Sequence, residues 1–315
     1  MSSFEIISDS AVNLPDSYRV ERNIHVVPFY YLAGGKEYSC LEEGVPFRES
    51  AIKFYEFLKS GVDIKTSLIS EARFIEAAEP FLKEGKDVLF LTIASGISGT
   101  FQQAKTAAET LSKQYPDRTV IAVDSANASM GQGLMALKAA DLRDMGESCK
   151  AVAEWLNDNV YKLNSYLTVD SLKYLKKSGR ISALAALAGT LLSIKPIIKA
   201  DGGPIPKLAV CSKEHGRRKS LSAVLNAFKE NVISPETQVC AITHADCEQE
   251  ALAMAEEIKK LGVPEVIIEY YDICTGSHVG PGTLALFFMG KDRRGDEKAS
   301  TERASLKKKA RHHSK

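Results

Sequence analysis

The sequence predicts an α/β protein built from two α/β domains with mostly parallel sheets, and three observations carry that prediction. Short β-rich runs end in small polar residues and are followed by amphipathic helical patterns, the alternation expected of βαβ units. Residues 87–93, DVLFLTI, form a near-continuous apolar run, the mark of a strand covered on both faces. The chain has 315 residues, 44% of them hydrophobic, enough for two cores at roughly 100–200 residues per domain.

The elements follow in order. A strand at 4–8 runs into the turn DSAVNL, and a second strand covers 24–31. Gly34 and Gly35 then offer a hairpin turn before a strand at 36–39. Helices are expected at 47–59 and at 70–83, the latter behind Ser70 as a cap. After the strand at 87–93, ASGISGT opens a helix at 101–113, followed by a strand at 119–123 and a helix at 129–145. The second half opens with a helix from Ser148 to about residue 159, a strand at 163–169, and LKYLKKSG stopping at Gly179 as a C-cap. Residues 181–192, ISALAALAGTLL, are small or aliphatic throughout and predict a helix buried nearly all round, ended by Lys195-Pro196. Strands at 205–210, 238–243 and 266–271 alternate with helices at 217–229 and 248–261, and a strand at 283–289 closes the fold. The expected division is 1–150, 151–290, and a basic, disordered tail at 291–315.

Charge sharpens that division. Across the chain 41 Lys and Arg nearly balance 40 Asp and Glu, yet residues 291–315 hold ten cations and four anions. The preceding 290 residues therefore carry 31 cations against 36 anions, an acidic body that disfavours nucleic acid as a partner. A solvated extension is the plain reading of the tail, and transient contact with a membrane surface is the alternative. The six Cys form no CxxC pair and no His stands at zinc spacing from them, so reduced thiols in a cytoplasmic protein are expected, with no metal site. The opening MSSFEIISDS lacks a basic region before an apolar stretch, and no window reaches 18 apolar residues, so neither export nor a transmembrane segment is expected.

Three strand-exit loops are rich in hydroxyls and glycines: Asp9-Ser10, residues 94–100, and Asp124-Ser125 with Ser129, Gly131 and Gly133. Ligands of open parallel sheets sit outside the carboxyl ends of strands, where backbone N–H groups favour an anion, although Gly and Ser there are also ordinary turn chemistry. SGISGT lacks the P-loop Lys and GxGxxG is absent, which disfavours nucleotide sites of those types and leaves no cofactor in view. Gly131 and Gly133 read instead as close-packing residues. Lys65-Thr66-Ser67 offers two hydroxyls or, equally, a helix cap region; His278 in TGSHVGPGT is either a solvated loop histidine or a functional imidazole.

These segments resemble the DegV family of fatty-acid-binding proteins: DSAVNL (9–14), KTS (65–67), SGISGTFQQA (95–104), VDS (123–125), YLKKSGRIS (174–182), LLSIKPII (191–198) and SHVGPGT (277–283), in family order over residues 4–290. The resemblance implies a two-domain α/β protein with a lipid pocket at the domain interface, holding one long-chain fatty acid with its carboxylate toward the surface. It implies that the carboxylate meets the hydroxyls of Thr66 and Ser98, backbone N–H groups around Gly96 and Gly99, and the His278 imidazole. Arg180 resembles a rim arginine facing a partner, an ATP-dependent fatty acid kinase subunit that phosphorylates the carboxylate; the carrier then holds the acyl-phosphate for phospholipid synthesis and itself has no catalytic residue. Three departures stand out: Ile69 replaces a common Pro, Ala94-Ser95 a usual Ser-Ser pair, and in CSKEHGRRKSL the basic position falls near His215, with Arg217 as the candidate substitute. The helix at 181–192 would line the acyl chain through Ile181, Ala185, Ala188 and Leu192, unless it is plain packed core. About 15 methylenes at ~0.8 kcal/mol each would supply roughly 12 kcal/mol before ordering costs, so few polar contacts suffice. Two rival functions remain: an enzyme acting on a small anion with His278 as acid/base, or a lipid-sensing regulator signalling through the tail.

Overall fold

Residues 4–42, 44–180 and 193–295 are described by a computed structural model. In chain order the first half runs β1 (Phe4–Asp9), a 3-10 turn (Ser10–Val12), α1 (Asp16–Glu21), β2 (Ile24–Val27), β3 (Tyr30–Ala33), β4 (Lys36–Ser39), α2 (Phe47–Lys59), β5 (Ile64–Thr66), α3 (Glu71–Lys83), β6 (Asp87–Thr92), α4 (Thr100–Gln114), β7 (Val120–Asp124) and α5 (Met130–Asp144). The second half runs α6 (Cys149–Asn159), β8 (Leu163–Thr168), α7 (Leu172–Ser178), β9 (Ile194–Ala200), β10 (Leu208–His215), α8 (Arg217–Asn231), β11 (Val239–His244), α9 (Glu248–Lys259), β12 (Glu265–Tyr270), α10 (Ile273–Val279) and β13 (Leu284–Met289).

The first sheet, ordered β2-β1-β6-β7, is parallel throughout, as the β-loop-α reading requires. Its central strands β1 and β6 are buried at every residue, which is why 87–92 reads as an unbroken apolar run. α5 packs on β1 and β6 and also on β8, β11 and β13 of the other half, so it forms a shared central layer. A helix with two covered faces needs small residues on both: a Cβ on Gly133 would fall 2.6 Å from the Val12 carbonyl oxygen.

The second sheet, ordered β10-β9-β8-β13-β11-β12, departs from the parallel expectation: only β11 and β12 run parallel, and the other four pairings are antiparallel. The last strand, β13, inserts between β8 and β11, a long-range choice invisible to local periodicity. The strand expected at 205–210 lies at Leu208–His215 and pairs with β9, where sequence reading saw only a helix stop at Pro196. Pro196 fits because β8 reaches only Ile197 to Lys199, leaving the proline one neighbouring strand at its level. The strand expected at 24–31 likewise divides at Pro28, β2 joining the first sheet and β3 an antiparallel three-stranded sheet, β4-β3-β5. Gly34 and Gly35, with φ of 57° and 78°, make the expected hairpin turn.

Two further expectations change. His278 lies in α10 rather than a loop: Asp272 caps that helix, its side chain accepting from the Thr275 N–H at 2.8 Å, and mid-helix Gly276 is required because a Cβ there would meet the Tyr55 hydroxyl at 2.0 Å. The basic segment assigned to the tail from 291 begins on the body. Arg293 is 3% exposed and donates to the carbonyls of Ala126 and Val160, both at 3.1 Å, and of Asp201. Among the described residues no helix is long and apolar enough to cross a membrane.

Candidate functional site

A cavity of about 290 Å³ lies between the exit loops of the first sheet and the inner face of the second. Side chains alternate along a strand, and the second sheet uses that alternation unequally. Tyr166, Ile197, Ile242, Leu284, Leu286 and Phe288 fill the core on the outer face, whereas Ser165, Leu167, Ala200 and Phe287 line the cavity on the inner face. Phe29, Ile93, Ile97, Leu175, Leu208 and Val279 complete a mostly apolar wall. None of these was singled out in the sequence, where they are indistinguishable from core.

Polar groups gather at one end. β5 ends at Thr66, held by antiparallel pairing opposite Tyr31, and α10 presents His278 on its last turn; Thr66 Oγ1 and His278 Nε2 are 2.9 Å apart. Ser98, in the loop after β6, bonds Thr100 Oγ1 at 2.9 Å and accepts from the Thr100 N–H at 3.3 Å, and with Gly99 it lines the same cavity. Arg180 follows the αL cap of α7 at Gly179, is exposed at its outer side, and reaches the same cavity. The structure therefore brings together Thr66, Ser98, Gly99, His278 and Arg180, drawn from four separate segments.

Two sequence-derived candidates stand elsewhere. Gly96 is not on the cavity wall; a Cβ there would fall 2.1 Å from the Pro206 carbonyl oxygen, so its lack of a side chain lets two loops meet. Arg217 opens α8 and turns its guanidinium onto the Glu250 carboxylate, with Nε at 3.1 and 3.0 Å from the two oxygens, away from the cavity. Ile181, Ala185, Ala188 and Leu192 lie outside the described residues.

Electrostatics at the polar end follow from burial. Desolvation, and secondly the Arg180 charge, pull the His278 imidazole down to about 4, so it is neutral at pH 7. With its proton on Nε2 it donates to Thr66 Oγ1 and leaves the threonine hydroxyl free to donate into the cavity. Burial pushes the Cys274 thiol well up, so this residue, one helical turn before His278 on the cavity wall, is a neutral thiol. Behind the wall, burial raises the carboxyls of Asp9 to about 7 and Asp272 to about 6, each against hydrogen bonds that oppose the rise. Asp9 Oδ2 accepts from the Ile93 N–H at 2.8 Å, and Asn13 Oδ1 accepts from the Asp272 N–H at 2.9 Å. The DSAVNL segment thus fixes both the β6 exit loop and the start of α10. The hydroxyl-rich loop at Asp9-Ser10, a candidate anion loop by sequence, is buried scaffold instead.

A second cavity of about 380 Å³ adjoins the first across Thr66, Ser178, Arg180 and His278, and Asp63, Lys65, Lys173 and Lys177 line it on the outside. Lys177 and Asp63 form an ion pair there, joining α7 to the segment that carries Thr66.

Residues 3–291 match the family described as uncharacterised protein, DegV family. A DegV domain-containing protein of Clostridium perfringens is 37% identical over 292 residues, covering 92% of this chain and 98% of the relative. One of Listeria monocytogenes is 30% identical over 285 residues, covering 89% and 96%. Among solved structures, a fatty-acid-binding DegV family protein of Thermus thermophilus superposes with a TM-score of 0.79 at 27% identity, covering 92% of this chain and 100% of that one. The fatty acid binding protein DegV of Bacillus subtilis gives 0.78 at 27%, with the same coverage.

Proposed function

The chain belongs to the DegV family, and from that premise we propose that it binds one long-chain fatty acid in the inner cavity and presents the carboxylate to a separate ATP-dependent fatty acid kinase. One observation carries the reading: a mostly apolar cavity with a hydrogen-bonded polar end at Thr66 and His278, flanked by Ser98. Hydroxyls and a neutral imidazole hold a carboxylate through charge-assisted bonds without the bidentate clamp an arginine would impose. One carboxylate oxygen stays free to attack the γ-phosphorus of a nucleotide held by the kinase, forming the acyl-phosphate as the bond to the departing ADP breaks. The outer cavity, with Arg180 shared between both spaces and three lysines around it, supplies positive potential where that phosphoryl group would arrive. The carrier then retains the acyl-phosphate by the same chain burial.

The mostly apolar wall favours this reading over an enzyme for a small anion, which would need a predominantly polar cavity. To test it, the lipid-loaded protein is mixed with a bacterial fatty acid kinase and ATP, and acyl-phosphate is trapped with hydroxylamine. Transfer is expected for the natural chain and a loss of at least tenfold for Arg180→Ala with lipid still bound. Equal transfer by both proteins would remove Arg180 from the partner-facing role, and no transfer at all would remove the kinase from the reading.

A further inference from the structure

The carboxylate end does not account for all the polarity of the inner cavity. Asn127 and Ser165, 2% and 4% exposed, also line it. Ser165 pairs with Phe287 on β13, three residues along the ladder from the Thr168–Leu284 pair nearest α10. At ~3.4 Å per residue it lies about 10 Å deeper along the wall than that pair. Asn127 is held firmly: its side-chain amide donates to the carbonyls of Ser125 at 3.1 Å and Val160 at 3.3 Å, and its own carbonyl accepts from the Ala94 N–H at 2.8 Å. Its Oδ1 accepts from Ser165 Oγ at 2.7 Å.

That bond commits the only proton of Ser165 to Asn127. A hydroxyl oxygen still has lone pairs to offer, and among the described residues no donor uses them. The neighbouring inner-face positions are Leu167 and Phe287, so Ser165 puts a hydroxyl on an otherwise apolar stretch of the wall. We propose that the Asn127–Ser165 pair is a second polar subsite within the acyl channel, accepting a hydrogen bond from a hydroxyl carried on the chain, so that the protein takes hydroxylated long-chain fatty acids in preference to unsubstituted ones. The proposal rests on the fatty-acid reading above. A chain hydroxyl buried in a wholly apolar channel would lose its water with nothing in return; here Ser165 Oγ replaces that water, while stearate gains nothing from it.

The full chain is stripped of lipid and offered equimolar stearic acid and each of a set of monohydroxystearic acids with the hydroxyl at successive positions, bound species being counted by native mass spectrometry. At least one isomer is expected to outcompete stearate by ~3–10-fold, the range of one good hydrogen bond. Ser165→Ala should bring that ratio to one or below, with a cooperative thermal unfolding transition showing that the variant is folded. No isomer outcompeting stearate, or a preference that survives Ser165→Ala, overturns the subsite while leaving fatty acid binding intact. If neither stearate nor any hydroxystearate binds, the fatty-acid reading itself falls, and the subsite with it.

Discussion

Thr66 Oγ1 and His278 Nε2 meet at 2.9 Å although 212 residues separate them in the chain. One ends an edge strand of the small antiparallel sheet and the other sits on the last turn of a capped helix in the second half. Their meeting divides an inner apolar cavity from an outer basic one, and the consequences of that position can be measured.

Removing either member should loosen the carboxylate. Thr66→Val keeps the shape and removes the hydroxyl, and hydrogen bonds to charged groups are worth about 1.5–3 kcal/mol. Fatty acid affinity by fluorescent displacement should therefore fall ~10–100-fold in Thr66→Val and in His278→Ala, with thermal unfolding nearly unchanged because both residues are part-exposed. An unchanged affinity in both would detach the pair from the ligand.

The acidic limb of the stability curve carries a signature of the same histidine. His278 titrates near 4 when folded and near 6.5 when unfolded, so between those values the unfolded chain binds a proton that the folded chain does not. Its contribution is present above pH 6.5 and is lost as pH falls toward 4; buried His244, also brought down to about 4 by burial, acts with the same sign. Asp9 and Asp272 act oppositely, since their raised values make the folded state hold protons that the unfolded state releases above about 4, so their contribution is lost as pH rises toward 7. Unfolding midpoints across pH 4–7 should show a shallower acid limb in His278→Asn and a steeper rise toward neutrality in Asp272→Asn, where the opposing contribution is gone.

Filling the channel should separate chain burial from carboxylate capture. Leu167 lies on the inner face of β8, and Leu167→Trp adds bulk where the acyl chain would run. Retention of long-chain acids should drop at least tenfold, while acids of eight carbons or fewer lose little. Equal loss for short and long chains would place the chain elsewhere.

The edge of the fold also lies further along the chain than its charge suggests. Arg293 donates to three carbonyls, so Arg293→Ala leaves Ala126 and Asp201 with unpaired acceptors and Val160 with only its Asn127 donor, and should lower stability by about 3 kcal/mol or more in urea unfolding. A change below about 0.5 kcal/mol would mean that this residue behaves as ordinary solvated surface.

Local chemistry was the legible part of this sequence. The apolar run at 87–92, the Gly34-Gly35 turn and the Gly179 cap each state their structure within a few residues, and each is found where expected. What local pattern could not carry was pairing between distant strands: nothing near β13 announces that it inserts antiparallel between β8 and β11. The same limit applies at the site. Thr66, Ser98 and His278 are visible as hydroxyls and an imidazole in glycine-rich or turn-like contexts, and the DegV-like motifs that contain them point to one ligand. The cavity wall is made largely of ordinary Leu, Ala and Phe that differ from core only by facing a gap, a property of the assembled sheet. Asp272 was legible in principle, since an Asp three residues before Thr275 is a helix-start signal, but the glycines at 276 and 280 read as loop.

The most direct test of the central claim is native mass spectrometry of the full chain purified from a bacterial host without added lipid. A single adduct with the mass of a C16 to C18 fatty acid is expected, lost on delipidation, restored by incubation with palmitate or oleate, and absent from Thr66→Val with His278→Ala combined. A chain that carries no adduct as purified and takes up neither acid on incubation would contradict the account.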